Sequence, residues 1–247
     1  MENKHLAGIL LILLGSIFTF KGAIDANQSL INAGIGGVFL GIVVLSFSGV
    51  EYVKYDAFKA VVEPYMDLVD SIAAALELKE NSVYIPPYGN LPEGGVFVPL
   101  HDDFEIDLAR LDENTVFITD VGREKEMGLL LLPLGKELME MYENYSEMDF
   151  ENAGIGVIDT ASSVLRALGL AKSVEIEEYE DVFKINLYGV KQPCSPTCKQ
   201  IACPICSSIL LSIAKALQEL IFVEDFRFEN GVVEISARKI GGIKKWM

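Results

Sequence analysis

Two stretches near the start of the chain carry no charged residue. They are residues 6–20, LAGILLILLGSIFTF, and residues 28–50, QSLINAGIGGVFLGIVVLSFSGV. The second is long enough to cross a hydrocarbon core of about 30 Å as a helix. The first reaches that length if Lys21 snorkels and part of KGAI joins it. A basic start at Lys4 before an apolar run also suits a signal peptide, but GAIDANQ offers no small-x-small cleavage site and a second apolar run follows at once. The pair therefore reads as a transmembrane hairpin over residues 1–50, with KGAIDANQ as its connection. Lys4, Lys54 and Lys59 flank the spans and only Lys21 lies in the loop, which places both termini and the main domain on the cytoplasmic side of the cell membrane. Ala33, Gly37 and Gly41 form a small-xxx-small stripe on the second span, matched by Ala7, Gly8, Gly15 and Ser16 on the first. Such stripes pack spans together or mediate oligomerisation.

The charges of residues 1–50 cancel, since Glu2 and Asp25 balance Lys4 and Lys21, so the formal charge of −16 belongs to residues 51–247. So acidic a domain is repelled by phosphate backbones, which excludes nucleic acid as a natural partner. An exception is the tail, where Arg238, Lys239, Lys244 and Lys245 gather near Trp246. That composition suits a lipid headgroup region; the plainer reading is a frayed terminus.

Residues 51–247 show the same order of elements three times. A helical apolar period runs through YDAFKAVVEPYMDLVDSIAAALEL, kinked or restarted at Pro64, and leads to the strand-like SVYIPP and GVFVPL. GVIDTASSVLRALGL precedes SVEIEEYE and DVFKINLYGV. CPICSSILLSIAKALQEL precedes IFVEDFRFE and GVVEISARKI, which are joined by Asn230-Gly231, a strong hairpin signal. Between the first two units, MGLLLLPLGKELMEMYENY reads as a buried strand to Pro133 and then a helix. The fold class is α+β: a transmembrane hairpin followed by a largely antiparallel sheet with packed helices in repeated αββ units.

All four cysteines lie in KQPCSPTCKQIACPICSS: Cys194, Cys198, Cys203 and Cys206. In a reducing compartment such thiols bind metal, run redox chemistry or stay inert. A tetrahedral zinc site made only of cysteines needs four sulfurs at about 2.3 Å, and CPIC resembles a zinc knuckle. Only KQIA separates the two pairs, closer than two-knuckle sites usually stand. A [4Fe–4S] cluster also accepts four cysteines from one segment, at a different usual spacing. The Cys203/Cys206 pair at a helix start resembles a glutaredoxin-type dithiol, though without the strand that precedes such motifs. A metal held by all four sulfurs leaves no open position, so its role would be structural.

No catalytic constellation stands out. His101 precedes Asp102 and Asp103 without a marked nucleophile, and suits a turn. NAGIGV (152–157) lacks the lysine and spacing of a phosphate loop and reads as a helix entry. The run EIEEYED (175–181) reads as a solvated strand face. With its two spans, YIPP…LPEGGVFVPL, GLLLLPLGKELME and a late cysteine segment, the chain resembles an archaeal family of two-helix membrane-anchored proteins of unknown function. That resemblance implies no activity. The order of elements around the cysteines is similar to vinyl-reductase-type and TRAPP-like ligand-binding domains. The expectation is a membrane-anchored cytoplasmic binding or assembly module, stabilised by zinc on four cysteines, with lipid and a homo-oligomer or protein as partners. The alternative is a membrane-tethered redox protein using an iron–sulfur cluster or the Cys203/Cys206 dithiol.

Overall fold

The computed structural model describes residues 2–48, 55–120, 122–191 and 196–247. The chain forms two compact units, Met1–Phe58 and Lys59–Met247.

The first unit is a helical hairpin, α1 (Glu2–Ile24) and α2 (Gln28–Ser48). Both helices are long and apolar enough to cross a membrane. The first exceeds its uncharged run because Lys21 and the KGAI segment continue the helix. Ala26 adopts a positive φ in the tight turn, and the Asn27 carboxamide oxygen accepts from Leu30 N at the start of α2. Most large side chains point outward, Leu13, Ile17, Phe20 and Phe39 among them, while the buried positions are glycines. Gly8, Gly15 and Gly22, spaced by seven residues, face Gly34 and Gly41. A Cβ on Gly15 would lie 2.6 Å from both the Gly34 carbonyl oxygen and Val38 N. Seven-residue spacing keeps these glycines on one face of the helix, so that they form one seam along its partner. Ala33 does not belong to this seam: it is exposed, and Gly34 takes the buried position. The hydroxyls of Ser16, Thr19 and Ser46 donate to carbonyls four residues earlier, leaving none of these three unpaired in an apolar surround.

The second unit is built on an eight-stranded antiparallel sheet. Its strands are β1 (Val83–Ile85), β2 (Gly95–Pro99), β3 (Phe117–Ile118), β4 (Gly128–Leu131), β5 (Ser173–Tyr179), β6 (Val182–Tyr188), β7 (Glu219–Glu229) and β8 (Val232–Gly242). Their order is β3-β4-β2-β1-β7-β8-β6-β5. The helices are α3 (Tyr55–Ala75), α4 (Lys136–Ser146), α5 (Val157–Ala167) and α6 (Pro204–Leu217). The three αββ groups are thus α3-β1-β2, α5-β5-β6 and α6-β7-β8. Asn230 and Gly231 both take positive φ in the β7–β8 turn, as a type I′ hairpin requires. Pro64 lies inside a continuous α3, not at a break.

Side chains alternate between two covered faces, with the strand period of two. Tyr84, Val96, Val98, Leu129, Ile221 and Val223 join the larger core with α4, α5 and α6. Val83, Ile85, Phe97, Leu130 and Leu220 join a smaller one. The smaller core is capped by Leu108 and Leu111 and by Ile243 and Trp246 packed against it. The C-terminal segment is therefore docked and not frayed. Leu108 N donates to the Trp246 carbonyl, and the Trp246 indole Nε1–H donates to Ile240 O at 3.2 Å. The physical reason is the second apolar face at the β1–β2–β4 end of the sheet, which needs a cover. Glu175, Glu177 and Tyr179 of the edge strand β5 are exposed, as the acidic run foretold.

Candidate functional site: the cysteine segment under the central helix

Helix α6 starts where its sequence allows. Pro204 at the first position has no N–H to leave unpaired, and Ser207 N donates back to Cys203 O at 2.8 Å. Of its fourteen residues, eleven are buried, so this helix lies within the larger core instead of on it. A single 3₁₀ turn, Pro196–Lys199, precedes it. That turn is held to the chain after α3. Lys199 O accepts from Ser82 N at 3.0 Å and from Ser82 Oγ, and Gln200 Nε2 donates to Leu78 O at 2.6 Å.

Cys198, Cys203 and Cys206 are fully buried here. Cys194 lies outside the described residues. All three thiols act electrostatically on one buried phenol, that of Tyr84. Burial pushes the Tyr84 hydroxyl far above the ordinary tyrosine range; Cys206, Cys203 and Cys198 push in the same direction, and Ser207 opposes them. Ser207 Oγ stands beside the phenol without closing a well-formed hydrogen bond, so both hydroxyls are buried and unsatisfied. One helical step on, the Tyr142 hydroxyl and Ser208 Oγ lie 2.7 Å apart, and Ser208 Oγ also reaches Ile205 O. Tyr142 too is raised, by burial first. At the far end of α6, Lys215 meets Glu143 at 2.6 Å and Asp149 at 3.0 Å. Burial alone would pull the Lys215 ammonium down; the two carboxylates outweigh it and hold it above the ordinary lysine value.

Among the described residues no three His, Cys, Asp or Glu side chains stand close enough together to hold a metal ion. Cys198, Cys203 and Cys206 thus do not form the metal-holding group that their spacing suggested, and Cys194 lies outside the described residues. Cys203 and Cys206 occupy the start of α6, where the helix dipole favours a thiolate, but both are closed to solvent. His101 lies in the loop after β2, and Lys125 pairs with Asp103 there. The NAGIGV segment enters α5 with no side-chain cap, and Gly154 N donates to Ala216 O at 3.2 Å. The basic tail lines a cleft of about 460 Å³ with Phe104 and Trp246. Its cations are already engaged: Arg238 with Glu224 and Lys239 with Glu178, each at 2.7 Å, and Lys245 with Ile240 O.

A family described as a domain of unknown function, DUF7982, matches residues 2–236. The chain belongs to this family. The match takes in the hairpin and nearly all of the α+β unit, so the two go together in the family's definition. No curated protein and no solved structure matches the chain. The likeness to vinyl-reductase-type and TRAPP-like domains thus rests on the order of elements alone.

The Tyr84 hydroxyl, missed by sequence reasoning, carries a prediction with an uncommon sign. Tyr84→Phe removes an unsatisfied buried group and is expected to raise stability by about 1 kcal/mol. Tyr142→Phe breaks a formed hydrogen bond and is expected to lower it by a similar amount of about 1 kcal/mol. Denaturant melts of both variants check the pair. Equal losses would mean that the Tyr84 phenol has a partner in the folded protein.

Proposed function

We propose that this chain is a membrane-tethered, non-enzymatic binding or assembly module, with its acidic α+β unit and both termini on the cytoplasmic side. The observation that carries the reading is the hairpin. Its two helices turn Leu, Ile and Phe side chains outward and glycines inward. In water that arrangement would expose a large apolar surface; in lipid it is the expected one. Retention in the membrane pellet after alkaline carbonate extraction tests the tether. Protease access to residues 59–247 in inverted but not right-side-out vesicles tests the sidedness. Release by carbonate, or digestion in right-side-out vesicles, overturns the respective half.

Within this reading the cysteine segment holds a structural ion on Cys194, Cys198, Cys203 and Cys206. Zinc suits four thiolates best, and [4Fe–4S] is the alternative. Support comes from the gathering of all four cysteines in one short segment, three of them buried at the junction between the 3₁₀ turn, α6 and the Leu78–Ser82 segment. Anaerobically purified full-length protein is expected to be colourless with one zinc per chain. A broad visible absorption band would favour the cluster and the redox reading; absence of both metals would end the metal proposal. Cys203→Ser is expected to lower stability by about 2 kcal/mol, through a hydroxyl in a dry core and, with metal, a lost ligand. His101→Ala, in a partly exposed loop, is expected to leave the melt unchanged. Equal melts for both variants would count against a structural role for the segment.

A further inference from the structure

An apolar groove of about 350 Å³ opens beside strand β4. Buried Leu91, Leu130 and Ile201 form its floor, and Val69, Val116, Leu132 and Leu134 form its walls. Three of the wall residues are open to solvent: Val116 is 59%, Leu132 58% and Leu134 43% accessible. Apolar side chains gathered around a concavity, unlike scattered ones, mark a binding surface. The sheet is unfinished at the same place. β3 pairs with β4 only through Phe117 and Ile118, opposite Leu129 and Gly128. Leu130 N still donates to Val116 O at 2.9 Å, but before Val116 the chain lies in a turn, with Thr115 N donating to Asp112 O at 3.0 Å. Leu132, two residues on from Leu130, presents its backbone to the same side. Neither its N–H nor its C=O makes a hydrogen bond among the described residues. The residue before a proline favours extended backbone, so Leu132 keeps the strand direction up to Pro133. Asp112 and Glu113 stand at the rim, and no lysine or arginine lines the groove. Hydrogen bonds from the Thr115 hydroxyl and Asn114 N hold the Asp112 carboxyl below the ordinary carboxylate range, so the rim stays anionic.

We propose that this groove takes an extended segment of a partner protein, with one large apolar side chain seated on Leu130 and Ile201 and a lysine or arginine beside it at the Asp112–Glu113 rim. The segment lies along Leu132 and supplies the strand neighbour that the short β3 does not reach. Charge selects this occupant. A second copy of the chain brings the same excess of negative charge, and anionic lipid is repelled in the same way. A basic segment meets two carboxylates with no lysine or arginine in the groove to compete for them. This surface gives the binding reading above its class of partner, while its geometry depends on neither the tether nor the cysteine segment.

Three labelled synthetic peptides test the proposal: Lys-Val-Leu-Val-Lys, Glu-Val-Leu-Val-Glu and Lys-Gly-Ser-Gly-Lys. Each is titrated onto the full chain in zwitterionic nanodiscs, or in plain buffer should carbonate release the chain from membranes. The first is expected to bind about tenfold more tightly than either of the others. Leu132→Gln is expected to weaken it about tenfold with the thermal melt unchanged, since Leu132 already touches solvent. Leu168→Gln, at an exposed leucine outside the groove, should leave binding as it is. Glu113→Lys should narrow the preference for the first peptide over the second. Hydrogen exchange at the Leu132 amide should slow about tenfold with the first peptide bound, because the amide gains an acceptor. Equal binding of all three peptides, unchanged affinity in Leu132→Gln, or binding that leaves the Leu132 exchange rate as it was would each overturn the proposal. So would uptake of a small apolar dye with no peptide bound up to about 1 mM. A chain that carbonate releases yet binds the first peptide selectively loses the tether and keeps the groove; one that stays in the pellet without that selectivity keeps the tether and loses the groove.

Discussion

Gly135→Ala is expected to cost about 3 kcal/mol or more in the unfolding of the α+β unit. The added Cβ would stand 2.0 Å from Ser208 N, 2.4 Å from Ser208 Cα and 2.6 Å from Pro204 O. All three are backbone atoms of a helix buried along most of its length, so no side chain can swing away. Relief requires α4 and α6 to separate, which would disturb the Tyr142–Ser208 hydrogen bond and the Lys215–Glu143 ion pair that join them. Gly89→Ala is the matched comparison, because nothing lies within 4 Å of its Cβ position. Denaturant unfolding followed by near-ultraviolet circular dichroism should separate the two clearly. Coincident curves would show that α4 does not cross α6 at Gly135.

The second large effect is expected in the hairpin. Gly15→Ile places a branched side chain where a Cβ alone already meets Gly34 O and Val38 N at 2.6 Å. Glycine-to-isoleucine raises the apolarity of α1, so insertion into lipid is not impaired; only the packing of the two helices is. A loss of about 2–3 kcal/mol in their association is expected. Spin labels on the outward-facing positions Ile17 and Phe39 would report it as a longer and broader distance distribution. Gly36→Ile, at a position with nothing within 4 Å, should leave the distribution as it is. Unchanged distances for Gly15→Ile would mean that the helices do not meet along the glycine seam.

These two positions also mark where sequence reading reached its limit. The hairpin, the αββ order, the Asn230–Gly231 turn and the run into α4 were legible because each is a local signal of hydrophobic period or turn chemistry. The phase of α2 was not. Helix α2 is apolar on every face, so hydropathy does not distinguish the face toward α1 from the outward face, and Ala33 stood as well as Gly34. The docking of Trp246 was hidden for another reason. It depends on an apolar second face assembled from Val83, Phe97, Leu130 and Leu220, residues brought together only by the strand order. The cysteines were visible as a cluster, but their surroundings were not: Tyr84 and Ser82 arrive from the segment after α3, more than a hundred residues earlier.

The strand order has a consequence for how the protein is made. β7 joins the β1 side of the sheet to β8, and β8 joins it to the β6 side. Both come from residues 219–242, directly after the helix that fills the core. A nascent polypeptide halted before residue 204 holds two half-sheets with no seam between them and an interior without its filling. By then the N-terminal hairpin has long left the ribosome. Maturation thus follows the order of synthesis: the hairpin of α1 and α2 is complete first, and the sheet closes in one late step as the β7–β8 hairpin fills the gap between its two halves.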